Sequence, residues 1–270
     1  MKSGLPFRMW VVLSLLVAGL TLTAVGQTSP GATRPLPRHQ PRRLAPGVET
    51  TIPATVSVGE TFSRHDIVEL LAVDKNWDWA KDVRFEHHVR ALEFTFKPMR
   101  FIEVDVPRLD GRLERKLVWY MVFHVRNPND EPVPFSPLFV LEGEDASPRY
   151  ADAIVPVAIP AIERRERPPK RLLNTVDITG KIAAHQAGKD NSVWGVVTWT
   201  DIDPRIDRFS VLVRGLTNAY RWKDRPDGKR QLFLKTLKLN FWRPGDEFDE
   251  HEDEIRLGAP GEVDYEWVYR

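Results

Sequence analysis

Leu117-Val-Trp-Tyr-Met-Val-Phe-His-Val125 decides the fold. Only His124 interrupts the apolar run, and both faces of a period-two strand through it are hydrophobic. A short run of this kind, rich in β-branched and aromatic residues, predicts a central strand covered on both sides. Asn127-Pro-Asn-Asp-Glu-Pro132 ends it with turn residues. Outward from this strand, Leu92, Phe94 and Phe96 alternate with Glu93 and Thr95, which predicts a strand with one wet face. Met99–Val106 reads as a second strand, followed by an Asp110-Gly111 turn. Val133–Leu141 reads as the return strand and Ala151–Ile159 as another. Leu172–Ala184, Val193–Thr200, Phe209–Leu216, Gln231–Trp242, Glu254–Leu257 and Val263–Tyr269 continue the pattern. Asp203-Pro204, Pro226-Asp227-Gly228 and Pro244-Gly245-Asp246 separate them. Short strands spaced by turns predict an all-β chain, an Ig-like β-sandwich built as two modules or as one large sandwich.

Glu163–Arg171 (ERRERPPKR) holds no apolar residue except prolines. It reads as a boundary between an N-terminal β module, 56–165, and a C-terminal β-sandwich module, 172–270. A weak repeat fits that division. Val118-Trp119 leads 17 residues later to Phe135-Ser-Pro-Leu-Phe-Val140, and Val193-Trp194 leads 16 residues later to Phe209-Ser-Val-Leu-Val213. Duplication and two ordinary hairpins both account for it. One short N-terminal helix is expected over 64–73, where Ser63 and Asp66 form a capping box ahead of helically spaced Ile67, Val68, Leu70 and Leu71.

The N-terminus carries a different message. Lys2 and Arg8 precede the apolar run Met9–Leu20, and Ala24 and Gly26 stand at the −3 and −1 positions before Gln27. That layout predicts a signal peptide over 1–26; an uncleaved membrane anchor is the other reading. Residues 27–55 form a Pro- and Arg-rich linker, a composition that favours an extended tether. Loss of Lys2 and Arg8 leaves 37 of the 39 cations against 38 acids, a mature charge of −1. Such a balance gives no general pull toward nucleic acid. The chain has no Cys, which excludes disulfides, zinc–thiolate sites and thiol chemistry. An exported chain without Cys or an Asn-x-Ser/Thr acceptor points to the bacterial envelope.

Motifs of chemistry are scarce. Asp246–Glu254 holds seven acidic residues in nine, either a calcium loop or a solvated run protecting a sheet edge. It lacks the spacing and turn glycine of an EF-hand. Asp201, Asp203 and Asp207 fit turn chemistry. His87, His88, His124 and His251 form no metal signature, and His124, on the face of Tyr120 and Val122, reads as a hydrogen-bonded core histidine. Nucleophile-elbow and phosphate-loop motifs are absent, so no catalytic, cofactor-binding or metal-ligating residue is assigned. Trp119, Trp194 and Trp199 lie in apolar strands and read as core. Trp267 alternates with Val263, Tyr265 and Tyr269. Trp242 shares a face with Thr236, Lys238 and Asn240, opposite Phe233, Leu237, Leu239 and Phe241. Trp77 and Trp79 share a face if extended. Trp242, Trp77 and Trp79 are the candidate contacts for a glycan or protein partner.

The segment from Val193-Trp-Gly-Val-Val-Thr-Trp-Thr-Asp-Ile-Asp-Pro204 through Val211-Leu-Val-Arg-Gly-Leu-Thr-Asn-Ala-Tyr-Arg-Trp222 resembles a family of uncharacterised secreted bacterial proteins. Leu239-Asn-Phe-Trp-Arg-Pro-Gly-Asp-Glu-Phe248 and Tyr265-Glu-Trp-Val-Tyr269 extend the likeness over residues 90–270. These are turn and core residues, so the resemblance implies a β-rich fold and carries no reaction with it. The expected role is an exported, non-enzymatic protein of the envelope or periplasm in contact with an envelope protein or cell-wall glycan. The alternative is a secreted hydrolase of wall or polysaccharide material. That enzyme would show two carboxylates facing across a groove. A contact protein would present broad sheet faces without a deep polar cleft. Neither reading calls for nucleic acid, a cofactor or a membrane span after cleavage.

Overall fold

A computed structural model describes residues 49–56, 88–108, 110–244, 255–258 and 260–270. The leader, most of the linker, the expected helix at 64–73, Trp77, Trp79 and the acidic run lie outside the described residues. All described residues fall in one compact unit, Arg43–Arg270. None of the described helices is long and apolar enough to cross a membrane.

The architecture is an all-β sandwich. The first sheet runs β1 (Thr50–Ile52), β2 (Glu93–Phe96), β4 (Leu113–Arg126), β3 (Arg100–Pro107), with β9 (Val193–Trp199) also paired to β4. The second runs β11 (Tyr220–Asp224), β12 (Arg230–Trp242), β10 (Arg208–Arg214), β6 (Leu138–Gly143), β7 (Arg149–Ala151). Short strands β13 (Arg256–Leu257) and β14 (Tyr265–Tyr269) also pair with β12. A small ladder joins β5 (Val133–Phe135) to β8 (Gly180–Ile182). Every one of these pairings is antiparallel. Both large sheets take strands from either side of residues 165–172, because β4 pairs with β9 and β6 with β10. Of the two arrangements open to the sequence, this is one large sandwich.

The inner faces meet in an aromatic core. Phe94, Phe96, Met121 and Phe123 of the first sheet are buried against Phe139, Leu141, Val211, Leu237 and Phe241 of the second. Phe123 and Phe139 lie 5.0 Å apart by ring centroid, and Trp119 meets Phe209 edge-on at 5.4 Å. Such tilted and edge-on pairs add stability beyond burial. Gly195 belongs to this packing. It pairs with Phe123, and a Cβ at that position would sit 2.6 Å from the Phe123 ring. A strand glycine of this kind marks a close approach of side chain to backbone.

Several elements differ from the sequence reading. Ile159–Glu166 is a helix, α1, where a strand end and a domain boundary were expected. Pro160 in the first turn and Arg164 and Arg165 in the last suit a helix. Ile162 is its buried apolar anchor, and the charged run around it conceals the period. Only Gly180–Ile182 of the 172–184 stretch is a strand. The return strand breaks at Ser136-Pro137, so β5 joins β8 and β6 crosses to the second sheet. The face of β2 read as wet is covered, for Thr95 is buried and bonded to Thr51, with 3.0 Å between the hydroxyls.

The repeat is out of register where it carries tryptophan. Trp119 pairs with Trp199 inside the core, whereas Trp194 pairs with His124 on the outer face. One residue of difference in spacing turns a strand side chain to the opposite face.

Candidate functional site

The outer faces of the two sheets have different surroundings. On the first sheet, Val118, Tyr120, Val122, Trp194 and Val196 are roofed by Val155, Ala158, Ile162 and Leu172 from the α1 segment. Glu166, at the end of α1, is buried under that roof. It accepts a hydrogen bond of 2.8 Å from the Tyr120 hydroxyl and lies 3.4 Å from Arg100 and 3.8 Å from Lys97. Burial, with the neighbouring Glu166 charge, raises the Tyr120 pKa above that of an ordinary phenol. Lys97 also donates to the Glu166 carbonyl at 2.7 Å. Every member of this cluster has a partner, so it fastens the roof and offers no open chemistry. His124 stacks on Trp194 at 4.4 Å and meets Glu49 at 3.4 Å. The core-histidine expectation holds in part, since the ring is only half-buried.

The second sheet carries a groove of about 440 Å³ on its outer face. Its lining follows from register. Leu138, Val140 and Glu142 are alternate residues of β6, and Arg214 and Leu212 stand opposite Leu138 and Val140 on β10. Arg149 of β7 stands opposite Glu142. The loop between β6 and β7 is tight enough to need Gly143, where a Cβ would lie 2.7 Å from the Ser147 carbonyl oxygen. Arg270 reaches in from the end of β14.

Glu142 is buried and needs compensation, because an unpaired carboxylate at such depth is costly. Arg149 supplies it on one oxygen at 2.8 Å, and Arg270 bonds the other. Arg214, at the rim, has no ion pair among the described residues. Three guanidinium groups against one carboxylate leave the groove with a net +2 over an aliphatic floor of Leu138, Val140 and Leu212. Planar, multi-donor guanidinium groups match carboxylate and phosphate geometry. The site therefore suits an anion with an apolar or sugar body. Among the described residues there is no group of three or more metal-ligating side chains.

The sequence-selected residues lie elsewhere. Trp242 is half-buried on the outer face, with the Arg256 guanidinium 5.2 Å from its ring centroid and Arg208 as its register partner. Phe241 is buried on the inner face, as alternation requires. The surroundings of Trp242 are less wet than expected. Thr236 and Asn240 are buried, and Asn240 donates to the Val263 carbonyl at 2.8 Å. Trp242 does not line the groove, and Trp77 and Trp79 lie outside the described residues. The turn reading of Asp203 is confirmed: its carboxylate accepts from the Arg205 amide at 3.0 Å. Sequence reading missed the groove arginines. The available signal was a charge at an outward position of an otherwise apolar strand, as at Arg214 and Glu142. No family model, no curated protein and no solved structure matches the chain.

Proposed function

We propose that this is an exported β-sandwich protein of the bacterial envelope or periplasm that works by contact, holding an acidic glycan or an acidic protein segment in the arginine groove. One observation supports the reading above others: the groove is lined by three arginines and one carboxylate, which is buried and held by two of them. A glycosidase needs two carboxylates, one of them free to move a proton. Here both oxygens of Glu142 are bound by arginine. Export rests on the leader layout, and membership of a secreted bacterial family on the resemblance across 90–270. An Ig-like kinship is part of the same proposal, supported by two antiparallel sheets packed face to face.

Binding to purified bacterial sacculi, to polygalacturonate and to polyglutamate tests the contact role. The folded double variant Arg149→Ala with Arg214→Ala should lose at least about tenfold in affinity. That is the scale of one or two charge-assisted hydrogen bonds. Equal binding by parent and variant would overturn the reading. Amino-terminal sequencing of protein from its native host should find Gln27 first. An intact Met1 in the membrane fraction would replace export by anchoring.

A further inference from the structure

The groove is laid out in three rows. Leu138, Val140 and Glu142 are successive outward residues of β6, so two strand repeats, about 13 Å, separate the first row from the last. Arg214 stands opposite Leu138 and makes the first row cationic. It has no ion pair among the described residues. Leu212 stands opposite Val140, so the second row is wholly aliphatic. Arg149 stands opposite Glu142, and Arg270 bonds the same carboxylate, so the third row carries an excess of positive charge. Arg149 meets Glu142 through Nε at 2.8 Å, yet its side chain is 61% exposed, which leaves its outer donors accessible to a ligand.

This order of cation, aliphatic pair, cation favours one kind of anion over another. None of the residues lining the groove is aromatic, and none carries a hydroxyl or an amide side chain. A sugar chain would find no ring to stack on and few partners for its hydroxyls. A polyuronate bears a carboxylate on every unit. One of these would lie over Val140 and Leu212, where no cation compensates it. An extended polypeptide has the matching repeat. Every second side chain points the same way, about 6.6 Å apart, so residues i, i+2 and i+4 fall on the three rows. Acid, aliphatic and acid at those positions give each row its complement, and the open groove leaves the peptide backbone in water.

Resting on the groove as the contact site, we propose that its ligand is an extended acidic peptide segment of the pattern acid-x-aliphatic-x-acid. One acid lies on Arg214, the other on Arg149, and the aliphatic side chain between them on Val140 and Leu212.

Fluorescence anisotropy with labelled synthetic peptides tests it. A Ser/Gly decapeptide with Glu-Ser-Leu-Ser-Glu at its centre should bind at least about tenfold more tightly than its isomer with Glu-Glu-Ser-Leu-Ser, which has the same composition and charge. Replacing the central Leu by Ser should also cost about tenfold or more. Arg214→Glu, shown to be folded by circular dichroism, should lose the Glu-Ser-Leu-Ser-Glu peptide. It should instead prefer one of Lys-Ser-Leu-Ser-Glu and Glu-Ser-Leu-Ser-Lys over the other, and the favoured one reports the direction in which the peptide runs. Equal binding of the two isomers, or no rescue of Arg214→Glu by either lysine peptide, would overturn the row match and leave the groove as a general anion site. The isomer comparison uses the parent protein alone and decides the matter if Arg214→Glu does not fold. Polygalacturonate bound by the parent and lost in Arg149→Ala with Arg214→Ala, with every peptide ignored, would overturn the peptide in favour of a glycan. Binding of neither class would overturn the contact reading as well.

Discussion

The outer face of the first sheet and the outer face of the second have opposite fates. On the first, β4 and β9 are apolar on both sides, and α1 covers the side that the sandwich core does not. On the second, β6, β10 and β12 alternate apolar residues inward with charged or mixed residues outward, and a groove and an exposed hairpin remain. The contrast teaches where contact chemistry can reside. On the roofed face the buried carboxylate is satisfied internally, Glu166 by Tyr120, Arg100 and Lys97. An open face keeps charges such as Arg214 for something else.

Truncations measured by urea denaturation sharpen this contrast. The largest loss should come from between the sheets: Phe241→Ala is expected to cost about 3–5 kcal/mol as a large core truncation. Ile162→Ala, in the roof, should cost about 2–5 kcal/mol because Ile162 is fully buried. Leu232→Ala on the open face should stay within about 0.5 kcal/mol. Equal losses at Ile162 and Leu232 would break the comparison, since the second sheet would then be covered as well.

Smaller effects follow from the groove and its surroundings. Glu142→Gln should cost about 1–3 kcal/mol, because two arginines lose a charged acceptor. The same change should tighten polyanion binding by raising the groove's charge. A variant both less stable and weaker in binding would argue against an anion site. Trp242→Ala should cost about 1 kcal/mol, well below Phe241→Ala, as its half-buried position implies.

The smallest expected effect concerns pH. The Arg205 side chain beside Asp203 holds its carboxyl at about 2, against an ordinary 3.8. A depressed carboxyl pKa stabilises the fold above the ordinary value, and that contribution fades as pH falls through about 2. Asp203→Asn should therefore be less stable than the parent at neutral pH, with the difference shrinking below about pH 4 and gone below about pH 2. A difference that persists undiminished below about pH 2 would mean the pair acts by some route other than proton linkage.

Much of this fold is legible in the residues. The nine-residue run around Tyr120 is the central strand, and alternation placed Phe241 inside and Trp242 outside. The helix was hidden because Glu163, Arg164 and Arg165 fill the visible positions and leave Ile162 as its one buried apolar residue. The change of sheet after Phe135 was hidden because Phe135, Phe139 and Leu141 are apolar whichever sheet they join. Period-two logic reports which face a residue uses and is silent on the partner strand. The groove was less legible still. Arg149, Arg214 and Arg270 are far apart in sequence, and each alone looks like an ordinary surface cation. A charge at an outward position of an otherwise apolar strand, at Glu142 and Arg214, was the only local mark.

The pairing of β4 with β9 has a kinetic consequence. Val125 closes on Val193, and Leu141 on Val211, so both sheets wait for distant chain before their central edges are filled. Contacts of such sequence separation slow folding toward the range of roughly milliseconds to seconds seen for β-sandwiches. Until β9 arrives, β4 presents an open, apolar edge, which is the kind that captures other chains. A fragment ending near residue 165 should accumulate as aggregate, while the unbroken Arg43–Arg270 unit refolds reversibly from urea. The molecule has no half that can be finished first: it is assembled late and all at once.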